Sequence, residues 1–448
     1  MVNVIIGIIM VLSFFGMIWY CVKGYNLMVG FFVMSVFWVA LALIGNAIVP
    51  TEAMKDKTVI DVLTNVFQTG PENYGKSILV NVFFGAFFGR VLMDTGIAST
   101  LIRKVVELGG DKPRITMTLL CVVTALIFTS MTGIGPVISI AVIVLPILLS
   151  LGISAPVALF SFMGSIMAGI FANIVNFKQY QAIFATANPD YASYDYNSYF
   201  SFGVIAMVVA LVVVLVVANI SLKRKKVSHA WAASANTEAV ADAPAISWIS
   251  VLLPVILVVA FNVPIILAFV IAALYALLTC RKLSGGFGEI CRNLAKLFAD
   301  GAVDVAPMVG FLLTLSMFNN AANFAATYFK TLIGGFIPTS ALLICLIFAI
   351  LTPLGFFRGP MNLVGCGAAI LAVVVGIASW PVQFLYPLFA VTTIAPQHLD
   401  ITQSWVAWGF GYTKVNTKDY MKMSIPTGWI VGAILCISVF FLYGGLVH

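Results

Sequence analysis

Apolar runs of bilayer-spanning length recur along the whole chain. They fall near 2–20, 26–49, 78–97, 155–173, 199–221, 247–261, 264–280, 303–320, 382–396 and 424–446. A spanning helix needs about 20 mostly apolar residues, and in lipid its backbone polar groups must be satisfied within the segment. Charge agrees with this, because 9% of the 448 residues are charged, whereas a soluble domain carries about 25%. The expectation is an all-α polytopic membrane protein. The first run, MVNVIIGIIMVLSFFGMIWY, lacks a basic start and a small-residue cleavage site, so it reads as a retained helix and not a signal peptide. The seven cysteines show no CxxC spacing, which argues against disulfides and zinc. The net charge of +7 sits in short loops, where it reports topology and not a nucleic-acid surface.

Two further apolar blocks, 115–150 and 338–376, are interrupted in the middle by "TSMTGIGP" (129–136) and "TPLGFFRGPMN" (352–362). Each is predicted to be a re-entrant hairpin. Two spans are predicted to break, at "NIVNFKQ" (173–179) and "PQHLDITQ" (396–403), giving discontinuous helices over 155–187 and 382–410. This arrangement puts Lys23, Arg103, Lys104, Lys112, Arg114, Lys223 to Lys226, Arg281, Lys282, Arg292, Lys296, Lys414, Lys418 and Lys422 on one face. Only Lys55, Lys57, Lys76 and Lys330 fall on the other. By the positive-inside rule the first face is cytoplasmic and both termini lie outside. Arg90, Lys178 and Arg358 remain at membrane depth.

The chain also repeats itself. Gly135-Pro136 matches Gly359-Pro360, and Gly152-Ile153 matches Gly376-Ile377, both at an offset of 224; one residue later, Ser154-x-Pro156-Val157 matches Ser379-x-Pro381-Val382. Such order at half the chain length indicates duplication. Residues 1–221 form a first repeat, 222–246 a cytoplasmic linker and 247–448 a second repeat. Five crossings and one hairpin per repeat make the two halves opposite in orientation, the arrangement of many secondary transporters. Irregular backbone at membrane depth is tolerated where it is buried in protein or lines a wet cavity.

Three groups of residues then converge. Ser130 and Thr132 bring hydroxyls to the first tip, where Gly133 and Gly135 free backbone amides ahead of Pro136. Arg358, Gly359 and Asn362 occupy the second tip, where a helix N-terminus and a guanidinium both favour a carboxylate. Asn173, Asn176 and Lys178 at the first break face His398, Asp400, Thr402 and Gln403 at the second. Ionisable groups inside a membrane are functional candidates. Structural roles compete with each: Lys178 as a helix cap, Arg358 as a lipid-phosphate ligand, and His398 as a structural imidazole partnered by Asp400. Arg90 and Asp94, four residues apart, read as a local ion pair. Asp300 and Asp304 read as acids at a cytoplasmic helix start, and Asn319, Asn320 and Asn323 as caps at an outer helix end.

At these motifs the chain resembles the ion-transporter superfamily of organic-anion secondary carriers, closest in layout to the four-carbon dicarboxylate, citrate and gluconate permeases. "FTSMTGIGPVISIAVIVLPILLSLGIS" is similar to the first hairpin of the dicarboxylate carriers, and "APQHLDITQSWVAWGFGYTKVNTKDYMKMSIPTGWI" to their last broken helix and final span. The resemblance implies one substrate site between two hairpins and two broken helices, a homodimeric scaffold in the inner membrane and an elevator movement. The function expected is coupled transport of a small organic carboxylate with no cofactor. The coupling ion would be a proton, through His398 and Asp400, or sodium at the hairpin tips. A small-anion channel and an intramembrane enzyme are the alternatives. The three histidines (His229, His398, His448) and the absence of HExxH or a nucleophile elbow leave an enzyme without a constellation.

Overall fold

The computed structural model describes residues 2–23, 25–222, 242–333, 335, 338–365, 367–378 and 380–447. Among them there are helices and no β-strand. In the first half, α1 (Val2–Val22) and α2 (Leu27–Ile48) form an antiparallel pair. A continuous helix follows, running from α3 (Val59–Thr64) through α4 (Gly70–Tyr74) to α5 (Val80–Asp94), with its joints widened into π-type turns at Asn65–Thr69 and Gly75–Leu79. Next come α6 (Ile97–Gly109), the hairpin α7 (Pro113–Ile127) and α8 (Ile134–Ser150), the broken pair α9 (Ala155–Ile170) and α10 (Ile174–Ala187), and α11 (Tyr196–Ser221).

The second half repeats the order. A tight turn at Ala245–Val251 leads into α12 (Leu253–Phe261), then α13 (Ile265–Thr279) and the long α14 (Phe287–Ile333). The second hairpin is α15 (Ala341–Leu351) and α16 (Gly367–Ile377) around a tip turn at Thr352–Arg358. The second broken pair is α17 (Val382–Gln397) and α18 (Ser404–Thr413), followed by α19 (Thr417–Tyr443). This is an all-α, multi-pass membrane fold of two inverted repeats, each with a re-entrant hairpin and a broken helix.

Packing follows the duplication. In one layer α2 lies along α14 and, equivalently, α13 lies along α5. In the other layer α9 packs on α11 and α17 on α19. Hairpin arms cross between repeats, α8 reaching α18 and α16 reaching α10. Composition explains the close approach. On α11 the positions 206, 210, 214 and 218 are Ala, Ala, Val and Ala and are buried, while Val208, Val212, Val216 and Ile220 are exposed on the lipid side. Small residues one turn apart let helix backbones approach where no hydrophobic drive separates lipid from protein.

Several helix limits differ from the expectation. Residues 59–77, expected as loop, are helical because Thr58 and Asp61 form a reciprocal capping box: Asp61 N donates to Thr58 Oγ1 at 3.2 Å and Thr58 N to Asp61 Oδ2 at 2.8 Å. Gly70-Pro71 does not stop the helix, since the preceding π-type turn rearranges the hydrogen bonds that the proline would break. The segment expected as a basic loop after residue 97 is the amphipathic α6. Its Arg103 and Lys104 reach Asp242 at 2.8 and 3.3 Å. Helix α14 extends well past 303–320 in both directions and bends by 48° between Ala306 and Met308, where Pro307 withdraws a backbone donor. Most of the expected linker, residues 223–241, lies outside the described residues. Residues 245 and 246, assigned to it, already belong to the turn before α12.

Candidate functional site

Each helix break is tied to the hairpin of its own repeat by buried polar side chains. In the first repeat this is Asn173, which caps α10 by accepting from Asn176 N at 3.0 Å. Its Nδ2 donates to the carbonyls of Phe128 and Met131 at 2.8 and 2.9 Å, so one amide closes the hairpin turn. Asn176 adds a side-chain bond to Asn173 Oδ1 at 3.2 Å. In the second repeat the stitch is Asp400. Its Oδ2 accepts from Phe357 N at 2.5 Å and its Oδ1 from Thr402 N at 2.9 Å.

The second tip has an unusual backbone. Phe357 and Arg358 both have positive φ, 56° and 57°, a region that disfavours residues with a side chain and persists only when the surroundings enforce it. The enforcing contacts are present. Asp400 holds the Phe357 amide, Arg358 Nη2 donates to Gln403 Oε1, and the guanidinium carbon lies 6.0 Å from the Phe311 ring centre. Gly359 N donates to Phe356 O at 3.1 Å, and Asn362 bridges the turn from Gly355 O (3.1 Å) to Val364 N (2.9 Å). Thr393 of α17, which the sequence did not single out, accepts from Leu363 N at 2.9 Å. Arg358, Asn362, His398, Asp400 and Gln403 are all buried. His398 and Asp400 engage other partners instead of pairing: His398 Nδ1 lies 3.2 Å from Ile394 O and its ring 5.6 Å from that of Trp405. Thr402 contributes its backbone N–H to Asp400.

The first tip is built differently. Ser130 Oγ donates to Val251 O at 2.7 Å, which fastens the tip to the turn before α12. Thr132 is buried beside it. Gly133 has φ +97° and ends the turn, and a Cβ at Gly135 would overlap the Asp304 carboxylate. That carboxylate is the main feature the sequence reading misplaced. Asp304 is buried within the bent α14, which begins at Phe287, and is not an acid at a helix start. It takes a bidentate pair from Arg90 of α5, Nε to Oδ2 at 2.5 Å and Nη2 to Oδ1 at 2.6 Å. Arg90 therefore does not pair with Asp94, which instead meets Lys282 at 3.4 Å. Ionisable groups at membrane depth commonly pair with one another. Matching Arg90 to an acid in the equivalent helix of the other repeat was the available signal.

Lys178 stands apart from Arg358. Its Nζ donates to Gln181 Oε1 at 2.7 Å, and it lines a cavity of about 920 Å³ together with Lys57, Lys76, Asn320 and Asn323. Asn320 and Asn323 are mid-helix residues, not end caps: Asn320 Nδ2 donates to Asn65 O (3.1 Å) and Asn323 Nδ2 to Thr186 O (2.7 Å). On the opposite face, a cavity of about 420 Å³ runs from Lys282, Lys296 and Asp300 to Arg90.

Tips and breaks from two inverted repeats, each pair joined by buried polar groups, define a multi-pass membrane protein with two re-entrant hairpins and two broken helices. No family model matches the chain, and no curated protein matches its sequence. The fold is similar to that of the YdaH transporter of Alcanivorax borkumensis, a crystal structure described as revealing an unusual topology. The identity is 14%, the TM-score 0.62, and the match covers 94% of this chain and 99% of that one.

Proposed function

We propose that this protein is a secondary active transporter for a small organic carboxylate, with Arg358 as the carboxylate clamp. The observation that carries the reading is a guanidinium buried at a hairpin tip, its backbone held in an unfavourable region by Asp400 and Gln403. A guanidinium stays charged when desolvated and offers a planar fork matched to a carboxylate. Gln403 is a neutral acceptor on it, and the Asp400 carboxylate lies within electrostatic range of the same guanidinium.

Asp400 gives a coupling route. A charged carboxylate holds Phe357 N more strongly than a neutral acid does. Protonating Asp400 would slacken the tip next to Arg358 and link proton binding to the gate; sodium at the tips remains the other coupling ion. The rest of the reading is a homodimer in the inner membrane, both termini outside, working by an elevator movement of the layer that carries α7–α11 and α15–α19.

Purified protein in liposomes tests the proposal. Uptake of a carboxylate should saturate and should collapse with a proton or sodium ionophore. Unsaturable flux would mean a channel, and turnover of the carboxylate an enzyme. Cysteines placed in 190–197 should react with an impermeant reagent from outside; labelling only from the cytoplasm would invert the assigned orientation.

A further inference from the structure

The cavity of about 920 Å³ next to Lys178 has a composition that the transport reading does not use. Lys57, Lys76 and Lys178 line it with side-chain amides, among them those of Asn65 and Asn323, and no aspartate or glutamate lines it among the described residues. Lys178 is already engaged by Gln181, and Asp195 faces it across an adjoining cavity of about 410 Å³. The positive field therefore comes mainly from Lys57, which lies 5.0 Å from the Phe324 ring centre and has Asp61 within electrostatic range outside the lining, and from Lys76. The wall carrying Asn65 and Lys76 belongs to the two π-type turns, an irregularity often found at functional sites.

The inner wall supplies a second, independent observation. Tyr74 lines the cavity, is 2% exposed, and has a buried hydroxyl with no hydrogen-bond partner among the described residues. The Tyr180 hydroxyl is likewise buried without one. Tyr180 lies within electrostatic range of Tyr74 on one side and of Arg358 on the other. A buried unsatisfied hydroxyl costs stability and calls for an explanation. Here one of them, that of Tyr74, belongs to the lining of the lysine-bearing cavity.

We infer that this cavity is a vestibular binding site for a small anion bearing two or more carboxylates, separate from Arg358. The class follows from the charges. Separated, solvent-exposed lysines hold one carboxylate weakly but collect a polyanion by their summed field, and such attraction falls with salt. The inference rests on the carboxylate reading for its ligand class, yet its test does not depend on transport.

Full-length protein in zwitterionic nanodiscs is titrated calorimetrically with citrate at low and high ionic strength. Parent protein should bind citrate with a strong salt dependence. Lys57→Gln/Lys76→Gln should weaken binding about tenfold at low salt and flatten that dependence, while Lys414→Gln/Lys418→Gln, outside the cavity, should leave both unchanged. Unchanged affinity and salt dependence in the double lysine variant would overturn the site. Equal displacement of citrate by sulfate would overturn the multi-carboxylate class, and a response to the lysine variants only in nanodiscs containing anionic lipid would assign the cavity to a lipid headgroup instead. Should no carboxylate be taken up by liposomes while the lysine variants still lose citrate, the transport reading fails and the vestibular site stands.

Discussion

The two hairpins descend from one duplicated element yet are built for different work. The first has arms of 15 and 17 residues and a short turn. Its tip is locked from outside: Ser130 is bonded to Val251, and the Arg90–Asp304 pair is wedged against Gly135. The second has arms of 11 residues each, and the length saved goes into an irregular tip with two left-handed residues and a buried arginine. The stitching residues differ in kind too. Asn173 is a neutral amide that donates to two carbonyls, whereas Asp400 is an ionisable acceptor. Duplication supplied the geometry twice, and the second copy carries the ionisable stitch and the buried arginine.

This contrast can be broken most forcefully at Asp304. Asp304→Ala should leave Arg90 without its counter-charge and destabilise the fold by about 3 kcal/mol, the low end for a broken buried pair because Arg90 is 30% exposed. Thermal unfolding in detergent measures it. Arg90→Met/Asp304→Leu should recover most of the loss, since apolar replacement of such a pair is often neutral. If the single variant unfolds like the parent, the first tip is not held by this pair.

At the second tip the same size of effect should appear in binding instead. Arg358→Lys keeps the charge but loses the fork, so carboxylate affinity should fall by about 1.5–3 kcal/mol, or roughly 10–150-fold, with the melting temperature little changed. Equal affinity in parent and variant would remove Arg358 as the clamp.

Asp400→Asn should be milder for stability, about 1.5 kcal/mol, because the amide oxygen can still accept from Phe357 N without the charge. Its sharper readout is functional: pH-driven uptake should disappear while substrate exchange, which moves no net proton, survives. Sodium-dependent, pH-independent uptake by the parent protein would rule out this role. The smallest effect is expected at Ser130→Ala. Losing one hydroxyl bond to Val251 O should cost about 1 kcal/mol and leave carboxylate affinity unchanged. A large loss of affinity there would put the first tip back in the binding site.

Much of this molecule is written in its sequence because lipid simplifies the code. A spanning backbone must be helical, so apolar runs locate helices, and breaks such as "TSMTGIGP" and "PQHLDITQ" locate places where it departs from one. The repeat, the two hairpins and the polar residues at tips and breaks were legible on those grounds. Tertiary structure decided the partners. Arg90 and Asp304 are 214 residues apart, and nothing local favours that pairing over Arg90–Asp94; only the crossing of α5 with α14 does. Lys178 and Arg358 look alike in sequence, as lone charges beside helix breakers, but the fold sends one to a lysine-lined cavity and buries the other. The π-type turns that build that cavity were illegible as well, because one extra residue in a helical turn leaves the apolar pattern almost intact while redirecting Asn65, Tyr74 and Lys76. Local composition determines where a membrane chain is helical, and only helix packing determines which buried polar groups meet.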